Sequence, residues 1–273
     1  MRTVAVTGSF DNLRSKDVRF LEEATKWGEL HVGLWSDETV QALEGKFPRF
    51  PERERLYLVQ ALRYVHRVAL VRGAIERQSL PRIDPRPPDI WAVDEASDTT
   101  AKRAFAKSRR MEYRVLRSED LSGFPLPPLA PPALDSGQKR VIVTGCFDWF
   151  HSGHVRFFEE ASALGELYVV VGQDANVKLL KGGGHPLFSQ EERLYMVQSV
   201  RYVRGAMVAT GHGWMDAEPE MAVVKPHFYV VNEDGDKPEK RAYAAEHGIE
   251  YVVLRRTPKE GLPRRESTDL RGF

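Results

Sequence analysis

The chain repeats itself, and each copy must therefore be read as a fold in its own right. VAVTGSFDNLRSKDVRFLEEA at 4–24 aligns without a gap to VIVTGCFDWFHSGHVRFFEEA at 141–161, and GELHVGLWSD aligns to GELYVVVGQD in the same register. After a slip of one residue, ERLYLVQALRYV at 54–65 matches ERLYMVQSVRYV at 192–203. AKRAFAKSRRMEYRVLR at 101–117 matches EKRAYAAEHGIEYVVLR at 239–255. SEDLSGF at 118–124 and STDLRGF at 267–273 close the copies alike. A length of 273 residues gives each copy enough chain for its own core, near the usual ~100–150 residues of a domain. Between the copies, Pro125, Pro127, Pro128, Pro131 and Pro132 block helix and sheet and favour a stiff connector. The expected organisation is a first domain over 1–124, a linker over 125–138 and a second domain over 139–273.

Within a copy, strand and helix periods alternate. VIVTG and LYVVVG read as buried strands. The segment from Ser152 to Leu164 places Phe157, Phe158, Ala161 and Leu164 on one helical face. Ser189 with Glu192 gives a capping-box start for a helix carrying Leu194, Val197, Val200 and Val203. AMVA, HFYVV and YVVL follow as strands. This alternation predicts an α/β fold with a doubly wound parallel sheet in each copy, and a ligand in the crevice beyond the carboxyl ends of the strands.

The net charge of +1 supplies no general field for nucleic acid or an anionic membrane, so a small-molecule partner is expected. Cys146 is the only cysteine, which excludes an intrachain disulfide framework and fits a reducing compartment; the expected location is the cytoplasm. Apolar runs such as LYVVVG fall far short of the ~18–20 residues that span a bilayer, and MRTVAVTGSFDN has no signal-peptide core.

The chemistry concentrates in Gly145-Cys146-Phe147-Asp148-Trp149-Phe150-His151-Ser152-Gly153-His154, which runs off the first strand of the second copy into its first helix. Free backbone N–H groups and the helix dipole favour an anion there. Two imidazoles three residues apart project the same way, and Gly153 lets a phosphate approach the backbone. The plainer alternative is a cap and a surface residue; zinc would need a third ligand that the neighbouring sequence does not offer.

GCFDWFHSGH resembles the GxFDxxHxGH signature of the cytidylyltransferase family within the HxGH superfamily. The resemblance extends to Lys178 and Lys181 in a loop after the second strand, to Arg201-Tyr202-Val203 on a later helix, to Arg256-Thr257, and to Ser267-Thr268 capping a last helix. It covers 139–273 and, in degenerate form, 1–124. It implies two tandem Rossmann-like domains and a nucleotidyltransferase of the glycerol-3-phosphate or ethanolamine-phosphate cytidylyltransferase type. That enzyme would move CMP from CTP to a small phosphorylated acceptor with release of pyrophosphate.

By the same resemblance His151 and His154 contact the nucleotide phosphates and, with Lys181, form the catalytic set. Gly145, Cys146, Phe147 and Gly153 line the nucleotide site, while Arg256, Thr257, Ser267 and Thr268 hold the β- and γ-phosphates. Lys178, Arg201, Arg264 and Arg265 are candidates for the acceptor, and Asp148 reads as structural. Mg²⁺ is expected, bound chiefly through the triphosphate. An adenylyltransferase using ATP and a non-catalytic nucleotide-binding scaffold are the competing readings. Phosphoethanolamine, phosphocholine, glycerol phosphate and sugar phosphates lie within the acceptor range of the family.

The first copy supplies an internal control. It reads Arg14-Ser15-Lys16-Asp17 where the second has its histidines, and Gln41 and Glu44 where the second has Lys178 and Lys181. It also lacks a counterpart of Arg256 to Glu266. Its apolar positions survive, so it is expected to keep the fold, to lack activity, and to dock on the second copy as an intrachain pseudo-dimer.

Overall fold

The computed structural model describes residues 2–73, 75–126, 137–267 and 270. The chain divides into two compact units, Met1–Phe124 and Pro125–Phe273. Most of the proline-rich connector lies outside the described residues, as does Thr268 with the closing helix expected there.

In the first unit, strands β1 (Thr3–Gly8), β2 (Glu29–Trp35), β3 (Arg67–Val71), β4 (Ile90–Asp94) and β5 (Glu112–Leu116) alternate with helices α1 (Ser15–Thr25), α2 (Asp37–Glu44), α3 (Glu52–Gln60) and α4 (Thr100–Ser108). The second unit has β6 (Arg140–Gly145), α5 (Ser152–Ser162), β7 (Glu166–Val171), α6 (Asp174–Lys181), α7 (Gln190–Gln198), β8 (Val203–Val208), α8 (Glu218–Val224), β9 (Phe228–Asn232), α9 (Pro238–Glu246) and β10 (Glu250–Leu254). The five-stranded sheets run β3-β2-β1-β4-β5 and β10-β9-β6-β7-β8, the same order in both units, with every pair parallel. Each is the doubly wound α/β fold that the alternating periods predict, with the switch of direction beside its first strand.

Strands with helices on both faces must be apolar throughout. Val141, Ile142 and Val143 on the central strand are fully buried, as are Val155, Phe158 and Ala161 on α5. The return from α5 to β7 demands glycine at 165: a Cβ there would lie 2.2 Å from the Lys139 carbonyl oxygen, which accepts the Glu166 N–H. Gly28 meets Arg2 in the same way at 2.3 Å. Helix α5 accordingly stops at Ser162, two residues short of the predicted Leu164.

Two expectations are corrected. Helix α7 ends at Gln198, and Val203, placed by its spacing on that helix, begins β8 opposite Leu167. Arg201-Tyr202-Val203 is therefore the corner between helix and strand, closed by bonds from Val200 N to Val197 O and from Val203 N to Val200 O, both 3.1 Å. Buried valines three residues apart satisfy a helical period although the backbone has already turned. Lys178 and Lys181 stand on the last turn of α6, where their charge complements the helix dipole, and not in a loop.

Candidate active site

Beyond the carboxyl ends of β6, β7 and β9 lies a cavity of about 440 Å³. Its floor is the turn from β6 into α5. Phe147 adopts a left-handed φ of 53°, and its ring lies 2.8 Å from where a Gly145 Cβ would stand, so Gly145 must lack a side chain. Buried Arg193 clamps the turn. Its guanidinium donates to Cys146 O at 2.5 Å, Gly172 O at 2.7 Å and Phe188 O at 3.0 Å, and pairs with Asp174 at 2.7 Å. Asp148 accepts from Leu187 N at 2.7 Å and from Phe188 N at 3.1 Å, in keeping with a structural role.

The first unit repeats this framework without the histidines. Arg55 donates to Ser9 O, Trp35 O and Phe50 O and pairs with Asp37; Asp11 accepts from Arg49 N and Phe50 N; Phe10 has a φ of 45°. These residues build the turn in both copies and carry no chemistry of their own.

On this frame His151 caps α5, its Nδ1 accepting the Gly153 N–H at 3.1 Å. A Cβ at 153 would stand 2.9 Å from His151 Cε1, so the glycine also protects this geometry. The His154 ring stacks on that of His151, with centroids 3.9 Å apart and planes 22° from parallel. Phe147 and Phe150 enclose it at 5.3 and 5.7 Å. His154 Nδ1 is buried with no hydrogen-bond partner among the described residues.

Burial, reinforced by the charges of Arg256 and Arg265, lowers the His151 pKa to about 3. Burial, together with His151, Arg256 and Lys181, holds His154 well below the ordinary imidazole value. Both rings are neutral near pH 7. Because His151 Nδ1 is an acceptor, its proton sits on Nε2, which makes that nitrogen a neutral donor.

The cavity gathers Gly145, Cys146, Phe147, His151, Gly153, His154, Lys181, Arg256 and Ser267 from the sequence-derived set. Ser267 Oγ donates to Trp149 O at 3.2 Å, laying the C-terminal segment across the turn. Arg256 pairs with Asp234 at 2.9 Å and with Glu266 at 3.5 Å. Lys178 and Arg201 are exposed and outside the cavity wall. Thr257, Arg264 and Arg265 line a smaller recess that shares Gly153 and Arg256 with the cavity, together with Arg255 and Lys259.

Sequence reasoning missed Arg193, whose signal was the arginine shared by the two ERLY segments. It also missed Asn176, Trp214, Asp216, Lys237 and Lys240, which line the same cavity and belong to no recognisable motif. Among the described residues no group of three or more His, Cys, Asp or Glu could hold a metal ion, and no helix is long and apolar enough to cross a membrane.

The equivalent place in the first unit is filled from within. The Asp17 carboxylate accepts the Arg14 N–H at 2.8 Å, occupying the N-terminus of α1 with the chain's own acid. Burial raises the Asp17 pKa against this bond. Trp35 stands in the register of Gly172, which lines the cavity in the second unit.

A nucleotide-binding α/β fold with a stacked histidine pair at the first helix defines a class, and residues 142–264 match the Cytidylyltransferase-like family. The chain belongs to that family of nucleotidyltransferases. It is 31% identical over 135 residues to FAD synthase of Methanocella paludicola, covering 48% of this chain and 93% of the relative. With FAD synthase of Methanopyrus kandleri it shares 37% over 131 residues, 46% of this chain and 84% of the relative. With the bifunctional protein HldE of Methylococcus capsulatus it shares 35% over 104 residues, 38% of this chain but only 21% of the relative. A lipopolysaccharide core biosynthesis protein from Thermoplasma volcanium aligns over 45% of this chain and all of its own length, with a TM-score of 0.39 and 28% identity.

Proposed function

We propose that the second unit transfers a nucleoside monophosphate from a nucleoside triphosphate to a small phosphorylated acceptor, releasing pyrophosphate. The observation that carries this reading is the neutral, stacked His151–His154 pair at the N-terminus of α5, opening on a cavity that also holds Lys181 and Arg256. The neutral His151 Nε2–H and the helix N–H groups stabilise charge building on the α-phosphate. Arg256 and Ser267 take the β- and γ-phosphates, and Lys181 screens the approaching acceptor. An acceptor phosphate oxygen forms the new P–O bond as the bond to the β-phosphate breaks, and the electron pair leaves with pyrophosphate. Mg²⁺ enters as the metal complex of the nucleotide and is part of the substrate.

CTP is the donor that the resemblance to the cytidylyltransferases implies, although the HxGH signature does not itself choose the base. The similarity to FAD synthases favours a second reading, ATP, because FAD contains an adenylyl group. The first unit is proposed as a non-catalytic partner, since Asp17 occupies its anion position. Incubation with Mg–CTP or Mg–ATP and a panel of glycerol 3-phosphate, phosphoethanolamine, a sugar 1-phosphate and FMN, followed by pyrophosphate release and ³¹P NMR, tests the reading. A protein that binds neither nucleotide would refute it.

A further inference from the structure

The two units use their turn aspartates differently. Asp11 commits both carboxylate oxygens to the backbone, Oδ2 accepting from Arg49 N at 2.8 Å and Oδ1 from Phe50 N at 2.9 Å. Asp148 takes the two equivalent N–H groups, of Leu187 at 2.7 Å and Phe188 at 3.1 Å, on Oδ1 alone. Its Oδ2 faces the imidazole of His185, 3.5 Å from Nδ1. FPRF at 47–50 and HPLF at 185–188 align in the register of the two ERLY segments, so the first unit has Phe47 where the second has His185. Phe47 is 59% exposed, whereas the His185 side chain is 20% exposed and lines the cavity together with Asp148. This imidazole therefore differs between the copies in the same way as His151 and His154, and the carboxylate oxygen that faces it differs with it.

The other charged groups of the cavity are engaged elsewhere. Asp216 accepts from Asn176 at 2.9 Å, while Asp234 and Glu266 pair with Arg256 at 2.9 and 3.5 Å. Lys237 and Lys240 lie over the rings of Trp214 and Tyr229. Lys181 closes α6 four residues before His185 and lines the same cavity.

A carboxylate only accepts, so the Nδ1–H of His185 is directed to Asp148 and Nε2 lies on the far side of the ring. His151 is held the other way, with Nδ1 accepting the Gly153 N–H. An imidazole that donates to Asp148 from Nδ1 and to a phosphate oxygen from Nε2 carries both protons, and the carboxylate stabilises that imidazolium. At 3.5 Å the His185–Asp148 contact is open, as such contacts commonly are until substrate binds. In the transferase reading the nucleotide phosphates are held by the α5 N-terminus, Arg256 and Ser267, whereas His185 stands with Lys181, which meets the acceptor.

Resting on that reading, we propose that His185 binds the acceptor phosphate through Nε2 and that Asp148 is its positioning residue.

The test uses the full chain with Mg–CTP and Mg–ATP and, as acceptors, glycerol 3-phosphate, phosphoethanolamine, galactose 1-phosphate and FMN. Acceptor KM is read by pyrophosphate release, and acceptor Kd by calorimetry on protein saturated with a non-hydrolysable nucleotide analogue. His185→Phe, which copies the first unit, is expected to raise both about 10–100-fold, the range for one charge-assisted hydrogen bond. The Kd for Mg–nucleotide stays within about twofold. His185→Gln, whose amide N–H takes the place of Nε2–H, is expected to recover most of the loss, which a packing role would not allow. Asp148→Asn keeps the Oδ1 bonds to the backbone but turns an amide N–H toward Nδ1, and is expected to raise the acceptor KM about tenfold; Asp11→Asn leaves it within about twofold. Phe and Gln variants with equal acceptor affinity would overturn the assignment, as would a loss confined to nucleotide affinity or a nucleotide-loaded chain that binds none of the four phosphates. Wild-type protein that binds no nucleotide would overturn the transferase reading instead, so the two failures are distinguishable.

Discussion

His151 and His154 stack face to face at 3.9 Å, and only one of the two imidazoles has its Nδ1 satisfied, by the Gly153 N–H. The pair is fixed in place yet leaves donors for a ligand. Replacing either ring by alanine is expected to lower kcat about 10²–10³-fold, the usual cost of one transition-state donor. Matching changes at Arg14 and Asp17 leave kcat within about twofold in the same assay, because no substrate contact is removed there. Comparable losses from both copies would contradict the division of labour.

The depressed His151 pKa has a consequence for stability. Folding keeps the ring neutral, so the unfolded chain binds the extra proton between its ordinary value of 6.5 and the folded value of about 3. This contribution is fully present above the unfolded value and is lost progressively as pH falls toward about 3. Urea unfolding at pH 7.5 and pH 5 should show the decline. His151→Gln, which carries no titrating group, should flatten that part of the profile.

Arg193 and Arg55 hold the same turn in the two units, each by hydrogen bonds to three carbonyl oxygens and one carboxylate. Arg193→Met is expected to destabilise its unit by about 3–5 kcal/mol, the range for breaking a buried ionic network. Arg55→Met should do the same to the other unit. Chemical denaturation followed by domain-specific hydrogen exchange reads both. Lysine should not rescue either, since one ammonium cannot reproduce the fork.

Gly172 faces the cavity, with a Cβ there only 3.1 Å from Val177 and 3.5 Å from Asp216. Gly172→Trp copies the residue of the first unit into the second and is expected to abolish nucleotide binding by calorimetry while leaving far-ultraviolet circular dichroism unchanged. Full binding by this variant would show that the cavity is not the nucleotide site.

The parallel α/β fold was legible because VAVTG and VIVTG, and then ERLYLV and ERLYMV, print the same pattern twice. The repeat also separated chemistry from scaffold: His151 and His154 differ between the copies, whereas Arg193 and Asp148 have counterparts doing the same work. Val203 misled because a buried valine at a helix-to-strand corner fits both periods. Asp216, Trp214 and Lys240 were invisible for another reason. They converge from a turn after β8 and from α9, and only the folded sheet brings those segments together. Lys178 and Arg201 carry the charge expected of phosphate ligands, but helix phase and a tight corner turn them to solvent, away from the cavity.

The Asp17 carboxylate at the head of α1 makes the two halves of the chain respond differently to their surroundings. The first carries its anion covalently, at a fixed effective concentration that no metabolite can change. In the proposed reading the second borrows its anion from solution, so its stability rises with nucleotide concentration by mass action. Calorimetry across a nucleotide titration should therefore move one melting transition and leave the other still, and a cell depleted of the donor would hold a chain with one half loosened and the other unaffected.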